Sequence, residues 1–220
     1  MTRTRAAAGG GRVVLVPPER VERWLDNAAA RHGAFTDVVA DAVGVTVTCA
    51  DGELLRLVPP FGWDGAGPAA LTRLGAAART RHRVAVLLVR RGRWAVGVFD
   101  GPDLVVSKVD SRLVQGRTAA GGWSQQRFAR RRGHQTDAVV EHAVGTAVRV
   151  LGPYAASCAA LVTGGDRGLV DDVLADPGLS GLAALRRLDP VEVGEPTKEV
   201  LLATPAQFRA VRVHLPGAQR

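Results

Sequence analysis

Residues 84–109 carry the pattern that most constrains the fold. Val84 to Arg90 is apolar at nearly every position, which suits a central strand covered on both faces. Arg91-Gly92 then turns the chain into a second apolar run, Trp94 to Phe99. Asp100-Gly101-Pro102-Asp103 turns it again into Leu104 to Val109. A meander of this kind needs helices against it. A long helix begins at about Ser124, with Val140, Val144, Ala147, Val148 and Leu151 at helical spacing as its apolar stripe. Gly152-Pro153 stops that helix, Ala159 to Val162 reads as a buried strand, and a further helix covers Leu169 to Leu174. Strand meander, long helix, strand and helix together predict an α/β fold around a mixed sheet with flanking helices.

The chain before the meander is less regular. Val13 to Val16 is a short strand, and Pro17-Pro18 starts a helix with Val21, Trp24, Leu25 and Ala28 on one face, ended by Gly33. Val43 to Thr48 and Leu54 to Val58 flank Asp51-Gly52 as a hairpin, and a helix covers Ala69 to Ala78. After the last core helix come one or two helical turns near Pro196 to Phe208 and a strand at Val211 to His214. Residues 1–11 lack an apolar stretch and read as a flexible tail rather than a signal peptide. Residues 12–220 read as a single domain, and no apolar run is long enough to span a membrane. Cys49 and Cys158 have no metal-spaced neighbours, so they read as reduced core thiols of a cytoplasmic protein.

The net charge of +8 favours a polyanionic partner. Of the basic residues only Lys108 and Lys198 are lysine, so part of the arginine excess reflects codon usage and is discounted. Placement says more than number. Gly121-Gly122-Trp123-Ser124-Gln125-Gln126-Arg127-Phe128-Ala129-Arg130-Arg131-Arg132 puts two glycines and two glutamines at the start of the long helix. Asp110 to Gly122 before it lacks periodicity and reads as a mobile functional loop. Glycine lets a backbone approach a ligand closely, and a glutamine amide can hold a water while staying neutral. Arg127, Arg130, Arg131 and Arg132 oppose the positive end of the helix dipole and repel one another. Phosphates would neutralise them, and Arg112 and Arg117 extend the same patch. Trp123 either packs the loop down or stacks on a base. The plainer alternatives are a loop that only admits the helix and a solvated basic face.

Gly121, Gly122, Ser124, Arg127, Phe128, Ala129 and Arg130 stand in a register that resembles the catalytic segment of archaeal and eukaryotic class I peptide-chain release factors. That family has Gly-Gly-Gln followed by small residues and then Arg-Phe-Ala-Arg at the start of a long helix. Here Trp123 directly follows the glycines and Gln125 comes two positions later. The shift is similar to the Vms-like branch, in particular its actinobacterial members. The resemblance is firm over residues 104–150 and implies an RNase H-like catalytic domain. It implies peptidyl-tRNA hydrolysis in ribosome rescue, with Gln125 positioning the water and Gln126 as the alternate. The implied partners are the large ribosomal subunit and peptidyl-tRNA, met by a monomer with no cofactor and no metal. Nothing in the chain resembles the codon-reading domain of that family.

Two other readings compete. Asp100, Asp103 and Asp110 at strand ends could hold Mg²⁺ in a nuclease, although turn chemistry explains the first two. A non-catalytic ribosome- or RNA-binding module would need only the basic helix. Gly164-Gly165-Asp166-Arg167-Gly168 could cradle a phosphate, but it lacks the lysine of a P-loop and reads as a strand-to-helix connection. The five histidines show no metal pairing, and Trp24 and Trp94 read as core residues.

Overall fold

The structure is a computed structural model that describes residues 3–6, 11–65, 69–112 and 125–215, except for the side chains of positions 3, 5, 6 and 125–137. In chain order the elements are β1 (Arg3–Ala6), β2 (Arg12–Val16), α1 (Val21–His32), β3 (Phe35–Ala40), β4 (Val45–Cys49), β5 (Leu54–Val58) and α2 (Ala70–Arg79). Then come β6 (Arg83–Arg90), β7 (Arg93–Asp100), β8 (Asp103–Ser111), α3 (Gln125–Leu151), β9 (Ala160–Gly165) and α4 (Arg167–Leu174). The last are α5 (Ser180–Ala183), α6 (Lys198–Leu202), α7 (Pro205–Phe208) and β10 (Val211–Leu215).

Two compact units are present, Met1–Arg81 with Pro205–Arg220, and His82–Thr204. The sequence reading drew one domain over 12–220. Each unit gathers its own buried apolar cluster around its own sheet.

The first unit holds a sheet of order β1-β2-β10-β5-β4-β3, antiparallel throughout. Strand alternation decides which face is covered. Val45, Val47 and Cys49 of β4 and Leu55 and Leu57 of β5 are buried, while Thr46, Thr48 and Arg56 between them are half-exposed. Val21, Leu25 and Ala28 of α1 and Leu74 and Ala78 of α2 close that core. The helix face read at Val21, Leu25 and Ala28 is therefore correct, with Trp24 partly buried beside it. Gly33 ends α1 at φ +82°, and a side chain there would meet the Ala50 Cβ at 2.8 Å. Residues 1–11 were expected to be a tail, yet Arg3–Ala6 pairs with β2 from Arg3↔Leu15 to Ala6↔Arg12. The pairing satisfies a strand edge that would otherwise present bare backbone groups.

The second unit positions the candidate site. Its sheet has order β8-β7-β6-β9, with β6, β7 and β8 antiparallel and β9 parallel to β6. This is the mixed α/β sheet expected from the meander followed by helix and strand. Val84 to Val89 and Trp94 to Phe99 are buried without interruption, as two-sided cover requires. On one face Ala85, Leu87, Val89, Trp94, Val96 and Val98 pack with residues of α3 and α4.

The stripe of α3 keeps Ala147 and Leu151 of the expected set and is otherwise shifted. Val139, Ala143, Ala147 and Leu151 are the residues against the sheet, Val140 and Val144 flank them, and Val148 is 37% exposed. The alanines are small enough to let the helix backbone approach the strands, so the closest face is not the bulkiest one. Among the described residues no helix is long and apolar enough to cross a membrane.

Candidate active site

The chain between β8 and α3 carries the glycines and Trp123, and residues 113–124 lie outside the described residues. Both ends of that segment can be located. On the β8 side, the Arg112 N–H donates to the Gly92 carbonyl at 2.8 Å, so the backbone is still held at the β6–β7 turn. Arg112 is exposed there. Lys108 and Asp110 precede it on β8 with a long ion pair of 3.9 Å.

The α3 side is set by an aromatic stack. Trp94, second residue of β7, lies 6.4 Å from His142 of α3, centroid to centroid, with the rings 7° from parallel. Trp94 is 3% exposed, and its Nε1 has no hydrogen-bond partner among the described residues. The core reading of Trp94 was right, but its partner was not legible because the two residues are distant in sequence. Downstream of the stack α3 runs towards the opposite end of the sheet. The Ala159 N–H donates to the Arg83 carbonyl at 2.8 Å where β6 begins, and Arg83 Nη1 donates to Ser157 Oγ at 3.1 Å. Upstream of the stack, α3 therefore heads past the sheet end that carries Gly92. Gln125 is the first residue of α3, seventeen positions before His142, or about 25 Å along a helix axis.

The sequence-derived residues fall into three groups. Arg112 is placed as described. Gln125, Gln126, Arg127, Arg130, Arg131 and Arg132 belong to the first turns of α3 by backbone. Gly121, Gly122, Trp123 and Arg117 lie outside the described residues.

The competing readings meet the geometry less well. Asp100 and Asp103 face each other at one end of the β7–β8 pair, while Asp110 pairs with Trp94 at the other. Seven residues of strand separate Asp103 from Asp110, about 23 Å, so the three carboxylates do not converge on one ion. Among the described residues no group of three or more His, Cys, Asp or Glu is placed to hold a metal. The glycine-rich stretch after β9 is a structural turn. Asp166 caps α4 by accepting the Leu169 N–H at 3.3 Å, which puts a carboxylate where a bound phosphate would sit. Cys49 and Cys158 are buried free thiols, and burial pushes both up from the ordinary thiol range.

A family model described as "Actinobacteria/chloroflexi VLRF1 release factor" matches residues 82–214. The chain belongs to that release factor family. The match begins where the second unit begins and runs through its meander, α3 and β9 to β10. No curated protein matches the chain in sequence. Among solved structures it is similar to the "Vms1 mitochondrial localization core", with 12% identity and a TM-score of 0.48, covering 88% of this chain and 80% of that one. It is also similar to S. cerevisiae Dom34, described as a translation termination-like factor involved in RNA quality control pathways. That match has 9% identity, a TM-score of 0.35, and coverage of 95% and 69%. Archaeoglobus fulgidus Pelota follows at 10% identity and TM-score 0.32, covering 94% and 66%.

Proposed function

We propose that this release-factor-family protein is a peptidyl-tRNA hydrolase that frees nascent chains in ribosome rescue. The observation that carries the reading is the position of Gln125. It is the first residue of the 27-residue helix α3 and follows Gly121 and Gly122 within four positions. Such a helix suits a group that must reach a bond held inside a large RNA assembly.

The reaction is hydrolysis of the ester between peptide and tRNA ribose. Water adds to the acyl carbon, the acyl–oxygen bond to the ribose breaks, and the ribose oxygen takes a proton. A glutamine amide is no general base at neutral pH, so Gln125 acts by orienting the water, with Gln126 as the alternate. Backbone N–H groups around Gly122 to Gln125 face the developing oxyanion. Gly121 and Gly122 permit the close approach. Arg112, Arg117, Arg127, Arg130, Arg131 and Arg132 hold RNA phosphates, and Trp123 stacks on a base or packs the loop. The partners are the large ribosomal subunit and its peptidyl-tRNA, met by a cytoplasmic monomer.

The test is release of labelled nascent chain from stalled large-subunit–tRNA complexes, with and without EDTA. Release should survive EDTA and fall at least 100-fold, on the order of a lost water-positioning or oxyanion contact, in Gln125→Ala or in the Gln125→Ala/Gln126→Ala pair. Full activity in both single variants and the double variant would overturn the assignment.

A further inference from the structure

The end of the second unit's sheet from which residue 113 departs carries a row of arginines, of which only Arg112 belongs to the site read from the sequence. Arg90 closes β6 and pairs in register with Arg93, the first residue of β7. Arg91 sits between them in the turn, with Gly92 at φ +84°. Arg112 is tied to that turn by its bond to the Gly92 carbonyl. On the far side of β6, Gly165 ends β9 opposite Val89, and Arg167 opens α4 two residues later. The row therefore crosses four adjacent strands, about 14 Å at ordinary strand spacing.

These charges are poorly neutralised. Arg90, Arg91 and Arg112 are exposed and make no ion pair among the described residues. Arg93 has Glu195 at 3.4 Å, and Arg167 has only a 3.8 Å pair with Asp171 while its side chain is 97% exposed. Asp171 also faces Arg187 at 3.4 Å, Asp166 is occupied as the α4 cap, and Asp110 is shared with Lys108. Leaving several guanidinium groups together without acids costs stability through mutual repulsion, so the row is explained by a ligand that removes the repulsion.

We infer that this sheet end is a further RNA-phosphate contact, in which Arg90, Arg91 and Arg167 continue the basic patch from Arg112 across the strands. Arginine forks match phosphate oxygens, and the row adjoins the point where the catalytic segment leaves the fold. A membrane surface fits less well. Among the described residues none of the exposed large apolar ones belongs to the β6–β7 turn or its flanks, and Val105 stands near the opposite end of β8, whereas a membrane-binding face combines basic with apolar groups. The inference deepens the proposed function by naming where the same RNA partner is gripped, and rests on it only for the identity of that RNA.

The experiment compares the unaltered protein with the Arg90→Gln/Arg91→Gln and Arg90→Lys/Arg91→Lys variants. Binding to a labelled RNA hairpin is followed by fluorescence anisotropy from 0.1 to 1 M salt, and binding to purified large subunits by pelleting. Each lost phosphate contact lowers the salt slope by about 0.7–0.9. The glutamine pair should therefore lose about 1.4–1.8 in slope, and about 20- to 60-fold in affinity at 0.1 M salt. The lysine pair should stay near wild type. Glutamine variants that bind RNA and subunits with unchanged affinity and slope overturn the inference, as does loss of binding to anionic phospholipid vesicles alone. RNA binding that depends on Arg90 and Arg91, with no ester hydrolysis in the release assay, overturns the proposed reaction and leaves the sheet-end contact standing.

Discussion

Replacing Gly165 by alanine tests the reading of the glycine-rich turn as architecture. The residue ends β9 at φ +100°, a conformation that side-chain-bearing residues rarely adopt. A Cβ there would stand 2.1 Å from the Val89 carbonyl oxygen and 2.9 Å from its carbon, with Arg90 Cγ at 3.1 Å. The obstacle is backbone of the central strand, so no rotamer change relieves it. The unfavourable φ costs about 1–3 kcal/mol. Shifting β6 to make room costs about 1–3 kcal/mol of core strain. The Val89 carbonyl also accepts the Asp166 N–H at 2.8 Å, and losing that bond costs about 1 kcal/mol. Together the penalty is about 3–7 kcal/mol, a large part of the 5–15 kcal/mol that holds a typical domain.

Gly168→Ala is the matched control. It lies within α4, its added methyl meets only Asp166 Oδ1 at an ordinary 3.5 Å, and alanine favours a helix over glycine by up to about 1 kcal/mol. In urea unfolding followed by circular dichroism, Gly165→Ala should move the midpoint of the second unit's transition down by at least about 1 M, given slopes of about 1–3 kcal/mol per M. Gly168→Ala should leave it unchanged or raise it. If Gly165→Ala unfolds with the wild type, or if both variants are equally damaging, the account of this turn is wrong.

Two further outcomes are expected. The Asp41 carboxyl is lowered from 3.8 to about 2, first by the Arg56 guanidinium bonding both its oxygens and then by the Val43 and Gly44 N–H groups. Its contribution is thus full above the ordinary carboxylate value and fades as pH falls through about 2; an NMR titration should find that midpoint, and Arg56→Ala should raise it part-way towards 3.8. Cys49 and Cys158, buried and held protonated, should resist iodoacetamide in the native protein and react on unfolding; rapid labelling of both in the native state would contradict their burial.

The strands that the sequence made legible are those with strong local patterns. Leu54–Val58 was read with its observed bounds, and the three strands of the meander to within two residues. Apolar runs bounded by Asp-Gly and Arg-Gly turns identify themselves. β1 and β3 were missed for the opposite reason. Arg3-Thr4-Arg5-Ala6 and the exposed Phe35–Ala40 pair at sheet edges, where little is buried and composition says little. The stripe of α3 was read in part: Ala147 and Leu151 were named, but hydrophobicity was followed to Val140, Val144 and Val148 where Val139 and Ala143 are the buried residues. At the site, the motif register pointed to Gln125 and to a helix starting near it. The Trp94–His142 stack and the row from Arg112 across to Arg167 arise only when strands distant in sequence are laid side by side.

That difference follows from how the second unit divides its work. The segment of the proposed chemistry is specified locally, through two glycines, two glutamines and arginines within twelve residues. Where this chemistry is delivered depends on long-range order. β8 brings one end of the segment to Gly92, and the Trp94–His142 stack sets the line of α3 at the same sheet end. Arg90 and Arg91 stand at that end because a tight turn between two buried strands has only its tip available for charge. The buried meander therefore fixes where the segment starts and where α3 packs, and the exposed turn is left to carry charge. On the proposed function, a change in the meander should then alter peptide release, whereas a change at the turn should alter only how firmly the protein holds.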